Sequence, residues 1–240
     1  MKDRQVFFAP CVPGFEDVLE AEVVGLPDAA DIEPVTGGVS FAGPLDLVYH
    51  ANLRLAVAHR VLLRVGDYLA QSFPMLYDHL RRIHWELYLG FEPKYSVHVT
   101  ASESKLDLKS RIADTLADAI RARCSELGLE PRSADEAPIE IHLRLYRDRC
   151  KVSINTSGEH LHKRGHRTHV GEAPLRETIA AACLLAANAG EAELVFDPFC
   201  GSGAMAIEAA RITAGYPPGA DRAFAFETMP FFQRSKWERL

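Results

Sequence analysis

The stretch VFDPFCGSGA, residues 195–204, decides how the last third of the chain is read. An apolar run, AELVFD (192–197), stops at an acidic residue, and a loop with two glycines, PFCGSG, follows at once. AMAIEAARI (204–212) then has the composition and spacing of a helix. The pattern is strand, loop, helix. In open α/β sheets, ligands lie beyond the carboxyl ends of the strands, where such loops gather. Gly201 and Gly203 carry no side chain, so the backbone there can curve tightly and approach a ligand closely. The helix that follows directs unpaired N–H groups and its positive dipole end at whatever fills the turn. The plain structural alternative is a buried strand running into a helix with small residues at its start.

The spacing narrows the ligand. It is not the G-x-G-x-x-G of dinucleotide folds, because Ala206 stands at the third glycine position and the loop begins Asp-Pro. No Lys-Ser/Thr pair follows the glycines, so it is not a phosphate-cradling P-loop either. An acidic residue ending the strand before a short G-x-G loop suits S-adenosylmethionine, which brings a cationic amino-acid moiety and no pyrophosphate. The Asp197 carboxylate would meet the methionine ammonium, directly or through water.

Working outward, 48% hydrophobic and 25% charged residues over 240 positions suit folded cores, in one large domain or two small ones. No apolar stretch is long enough to span a bilayer; TIAAACLLAANAG is short and rich in alanine. The N-terminus shows no signal-like apolar block. The five cysteines are scattered without a C-x-x-C pair, which argues against a disulfide framework or a zinc site and fits a reducing cytoplasm.

The first half alternates short strands with amphipathic helices. QVFFAP (5–10) reads as a strand; Pro13 opens a helix with Phe15, Val18, Leu19 and Val23 on one side; ADIEPVTGGVSFAG (30–43) reads as a hairpin about Gly37-Gly38. PLDLVYHANLRL is a helix, 58–70 a strand and 72–85 a helix. A second unit follows. KYSVHVTAS (94–102) alternates like a half-buried strand, and 107–128 places Ile112, Leu116, Ala119, Ile120 and Leu127 on one helical face with Gly128 at its cap. Residues 138–158 form a hairpin with Arg147-Asp148-Arg149 at its turn, and LRETIAAACLLAANAG (175–190) is an apolar helix. Such a mixture predicts an α+β arrangement, each sheet covered by helices on one face.

Charge is uneven. The formal net charge is −6, yet residues 144–169 hold Arg144, Arg147, Arg149, Lys151, Lys163, Arg164 and Arg167 against only Asp148 and Glu159. Such a patch can neutralise phosphates and supply sequence-independent affinity for nucleic acid. Lys105, Lys109 and Arg111, around the start of the 107–128 helix, are further candidates for RNA contact, although Asp107 and Asp114 dilute the field there. His160, His162, His166 and His169 have loose ligand spacings without a helix to fix them, so no metal site is expected.

The residues DPFCGSGAMAIEAA resemble the first cofactor motif of the THUMP-domain RNA methyltransferases, most closely the bacterial large-subunit rRNA guanine-N2 enzymes. TSGEHLHKRGHR followed by APLRETIAAACLL resembles the entry to that family's methyltransferase domain, while FAPCVPGFEDVLEAEV and VTGGVSFAG resemble its ferredoxin-like start. The resemblance implies an α+β N-terminal half, ferredoxin-like over 1–44 and THUMP over 45–155. The opening of an α/β Rossmann-like methyltransferase domain would then occupy 156–240. It implies S-adenosylmethionine as cofactor, lined by Asp197, Pro198, Cys200, Gly201, Ser202, Gly203, Pro174 and Thr178, with Cys200 a pocket residue and not a nucleophile. It implies structured rRNA as partner, captured by Arg147, Arg149, Lys151, Lys163, Arg164, Arg167, Lys105 and Lys109, with neither membrane nor metal.

A second motif, [N/D]-P-P-[Y/F], would hold an exocyclic amine in line with the methyl group. It does not occur in these residues; YPPG (216–219) lacks the acidic or amide side chain. Glu227 is the candidate for the cofactor ribose. The expectation is therefore the front of a methyltransferase, with no turnover by these 240 residues alone. A DNA adenine-N6 methyltransferase and a non-catalytic RNA-binding protein are the alternatives.

Overall fold

The Gly37-Gly38 turn forms as its glycines dictate: Gly37 takes φ 85°, and a Cβ on Gly38 would lie 2.4 Å from the Ala9 carbonyl oxygen. The computed structural model describes residues 4–90, 94–134, 137–165 and 175–240. In chain order these form β1 (Gln5–Pro10), α1 (Glu16–Val24), β2 (Ala30–Val35), β3 (Gly38–Gly43), α2 (Leu47–Arg54) and β4 (Leu62–Leu69). Next come α3 (Phe73–Arg81), α4 (Glu86–Leu89), β5 (Lys94–Ser102), α5 (Lys109–Ser125) and β6 (Arg132–Ser133). The remainder are β7 (Ile139–Tyr146), β8 (Arg149–Asn155), α6 (Glu177–Ala186), α7 (Ala204–Thr213) and α8 (Arg234–Trp237).

The chain divides into two units, each discontinuous in sequence: residues 1–61 with 159–224 and Leu240, and residues 62–158 with 225–239. In the first, β2, β3 and β1 lie side by side, antiparallel throughout. Phe7 and Phe41 face each other across β1 and β3 with rings 5.4 Å apart, and Leu19 and Val23 of α1 are buried with them. The Glu16 carboxylate fastens the start of α1 to the hairpin, accepting from Gly14 N at 2.6 Å and Gly37 N at 2.8 Å. α6 packs on both α1 and α7, where Leu184, Ala189 and Ala209 form a small core.

The second unit is a sheet ordered β4-β8-β7-β5-β6, antiparallel from β4 to β7 and parallel from β7 to β6. α3 packs against α5, which buries Ile112, Leu116, Ala119, Ile120 and Cys124. Along β7 the apolar Ile139, Ile141, Leu143 and Leu145 are buried while alternate residues face outward, the pattern of a sheet covered on one side. Arg147 (φ 49°) and Asp148 (φ 60°) alone make the turn to β8, a two-residue hairpin of the left-handed kind that matches strand twist.

Four expectations need correction. The strand foreseen over 58–70 begins only at Leu62, and the helix foreseen over 72–85 stops at Arg81 before the separate turn α4. α5 ends at Ser125, so Leu127 leaves the helical face and is 51% exposed; Gly128, at φ 70°, carries the chain away. AELVFD forms no strand and pairs with none among the described residues, and Leu194 (82%) and Phe196 (81%) lie exposed. An apolar segment becomes a strand only when a neighbour supplies the ladder hydrogen bonds.

Candidate functional site

The turn after AELVFD is built by its own backbone. Asp197 Oδ1 accepts from Phe199 N at 3.0 Å, Gly203 N donates to Cys200 O at 2.7 Å, and Ile207 N donates to Gly203 O at 2.9 Å as α7 begins. Gly201 (φ 52°) and Gly203 (φ 79°) both occupy left-handed backbone that other residues adopt only under strain. A Cβ on either would meet nothing closer than 3.6 Å, so the glycines serve conformation here and not packing. Pro198, Cys200, Gly201 and Ser202 are exposed, and Asp197 and Gly203 half-buried, so the concave side of the turn is open. The Asp197 carboxylate spends one oxygen on the turn and keeps acceptor capacity on the other. The residues present thus fit a ligand with one cationic group and several acceptors, set against the N-terminus of a ten-residue helix.

Of the two candidates upstream, Thr178 lies in the first turn of α6, its hydroxyl buried and without a partner among the described residues. Pro174 falls outside the described residues, as does Arg167. Glu227 stands in a single 3-10 turn, Ala225–Thr228, and not at the end of a strand.

The basic residues separate into two groups. In the sheet unit, Arg147 Nε donates to Glu103 at 2.9 Å and Arg149 Nε to Asp67 at 2.6 Å, both at the exposed hairpin tip. The Lys105 backbone N–H donates to Asp148 Oδ1 at 2.7 Å, which sets this exposed residue beside the same tip, and Lys109 is exposed at the first position of α5. The acidic partners are 44 and 82 residues away in sequence, so the reading of residues 144–169 overstated the charge of the tip. The less obvious feature is on the sheet. Arg144 stands directly opposite Lys151, with the same face continuing through His142, opposite His98 on β5. Lys151 also stands opposite Asp67 on β4, and Glu140 shares the face with His142, so the face carries both signs of charge.

In the other unit the reading of Arg164 needs correction. Expected to touch RNA, it is 1% exposed, and its guanidinium donates to Glu208, to Leu161 O and to Ala56 O. Lys163 is exposed and pairs with Glu159. His160 and His162 stack with rings 5.5 Å apart, and burial lowers the pKa of His162, which disfavours its charged form. The segment 159–165 looked like an open basic linker in sequence. Arg222 instead holds it by donating to the carbonyls of Glu159, His160 and Lys163. Glu208 carried a sequence signal, a carboxylate on the buried face of a largely apolar helix.

The described residues form a three-stranded N-terminal unit, a helix-backed five-stranded sheet and a glycine turn opening a helix. Three family models match along the chain, the RlmL ferredoxin-like domain over residues 6–62, the THUMP domain over 70–155 and the RMKL-like methyltransferase domain over 164–240. The chain therefore carries segments that match a ferredoxin-like, a THUMP and a methyltransferase model, none of which alone spans half of it. It is similar to a ribosomal RNA large subunit methyltransferase K/L of Psychromonas ingrahamii, 31% identical over 98% of this chain and 31% of that protein. A putative RNA methyltransferase of Synechocystis is 30% identical over 98% of this chain and 62% of its own length. Among solved structures, a predicted N6-adenine-specific DNA methylase from Listeria monocytogenes superposes with TM-score 0.87 at 30% identity, covering 99% of this chain and 62% of that one. SMU.472, a putative methyltransferase complexed with SAH, gives 0.84 at 30% identity, over 100% and 63%. The chain thus spans less than two thirds of each of these relatives.

Proposed function

We propose that the chain is the RNA-capturing and cofactor-binding front of an S-adenosylmethionine-dependent rRNA methyltransferase acting on guanine-N2 of the large subunit, in the cytoplasm. The observation that carries the reading is the DPFCGSG turn, whose two left-handed glycines and leading carboxylate open onto the N-terminus of α7. The cofactor, when bound, supplies an electrophilic methyl group. Asp197 would hold its ammonium, Gly201 and Gly203 would let the backbone approach it closely, and Pro198, Cys200 and Ser202 would shape the wall. Thr178, in the first turn of α6, would complete the pocket. Residues 1–44 and 45–155 supply the ferredoxin-like and RNA-capturing parts, and 156–240 the cofactor end. Arg144 and Lys151 give the RNA backbone its counter-charges on the sheet, joined at the rim by Arg147, Arg149, Lys105 and Lys109. Lys163 adds one more in the first unit.

The amine to be methylated needs a group that orients its lone pair. No [N/D]-P-P-[Y/F] tetrapeptide occurs among the 240 residues, so we place that group outside them. Assayed alone, these residues are expected to give no turnover, and robust methyl transfer by them would refute that placement. The Listeria protein, described as a predicted N6-adenine-specific DNA methylase, favours a second reading, methylation of adenine in DNA. Competition between a structured rRNA fragment and duplex DNA at matched salt separates the two. RNA preference supports the proposal, and duplex preference supports the alternative.

A further inference from the structure

We propose that Arg164 is a positioning residue for the glycine turn, holding it in place through the Glu208 carboxylate on α7. The inference rests on the reading of that turn as the cofactor cradle. Arg164 and Glu208 are 1% and 2% exposed, and the guanidinium forks onto the carboxylate, Nε to Oε1 at 3.3 Å and Nη2 to Oε2 at 3.2 Å. The same guanidinium donates to Leu161 O at 3.0 Å and Ala56 O at 2.7 Å. At that point of the chain the amides of Ala56 and Val57 donate to the Glu22 carboxylate of α1, at 2.8 and 3.0 Å. One buried cation therefore ties α7 to the segment that also anchors α1.

The segment carrying Arg164 is itself held by Arg222. Further along α7, Arg211 donates to Asp221 at 2.9 Å, and Asp221 also accepts from the Tyr216 hydroxyl at 2.7 Å.

Glu208 lies one turn beyond Ala204, about 6 Å along the helix axis, and on the same buried face. Pinning it fixes both the rotation and the axial position of α7, and with them the direction of the first-turn N–H groups. The apolar packing of α7 cannot do this alone. It rests on Ala209 against Leu184 and Ala189, with Met205 and Ile212 at the margin, small and flexible side chains that tolerate sliding. A buried ion pair adds little stability over a well-packed apolar pair, and its best-attested use is to fix register.

Amide hydrogen exchange of the unliganded full chain tests this, with S-adenosylhomocysteine titrated in parallel. Arg164→Lys keeps the charge but loses the fork, and Glu208→Gln keeps the shape but loses the charge. In both, exchange at residues 201–207 is expected to rise about tenfold while α5 and β7 stay as they were, and affinity for the cofactor product to fall about tenfold. R164M/E208M replaces the pair by apolar side chains of similar length. It is expected to recover melting temperature without recovering turn protection or affinity. Recovery of protection together with melting temperature, or single variants with unchanged exchange at 201–207, would overturn the proposal. Exchange as expected in a chain that binds no S-adenosylhomocysteine would support the anchor and count against the cofactor reading instead.

Discussion

Glu22 shows how a single residue's surroundings set a property of the whole unit. Part of its side chain reaches the surface, but its carboxylate is deeply desolvated against the backbone at Ala56 and Val57. Burial pushes its pKa up to about 7, against the opposing pull of those two N–H groups and of Arg164. Because the folded pKa lies above the unfolded value of 4.5, the folded state holds the extra proton between those two values. Stability is therefore full below the unfolded pKa and declines as pH rises through 7, by on the order of 1–3 kcal/mol. Thermal melts at pH 5 and pH 8 should show that decline in the wild type and lose most of it in Glu22→Gln. The sequence offered no sign of this, since a lone glutamate in an amphipathic helix reads as solvated. Only the fold brings residues 22, 164 and 208 to one place.

At the scale of elements, legibility followed the range of the forces. β1, β5 and the β2–β3 hairpin were legible from alternation and glycines, because those signals act within a few residues. AELVFD failed as a strand because pairing is non-local. The two-residue turn at Arg147-Asp148 lies between. Asp148 tolerates left-handed backbone, and its carboxylate accepts from Lys105 N at 2.7 Å and from Gln71 Nε2 at 3.0 Å. Asp148→Ala removes both bonds and should cost the sheet unit about 1–2 kcal/mol in urea melts, whereas Asp148→Asn should cost much less. On the neighbouring face, Arg144→Ala and Lys151→Ala should each weaken RNA binding. Each should also lower the slope of log affinity against log salt by about 0.7–0.9. A variant that weakens binding without changing that slope would show that its side chain meets no phosphate.

Across the whole molecule, the ferredoxin-like, THUMP and methyltransferase-type segments were legible, whereas the grouping of segments was not. Residues 159–224 join residues 1–61 in one unit, although the sheet unit separates them in sequence. The basic stretch likewise split, because charge counted along a chain ignores where acidic partners arrive from. Asp67 and Glu103 pair with the hairpin arginines, and Glu208 with a buried one. What survives is a glycine turn with one leading carboxylate, and the account stands or falls on its ligand. Titration calorimetry of S-adenosylhomocysteine into the chain and into Asp197→Ala is the most direct test. The account predicts saturable one-site binding to the wild type, weakened at least about tenfold by the substitution, as for loss of a charge-assisted contact. Equal affinity in both proteins, or no binding to either at millimolar ligand, would contradict it.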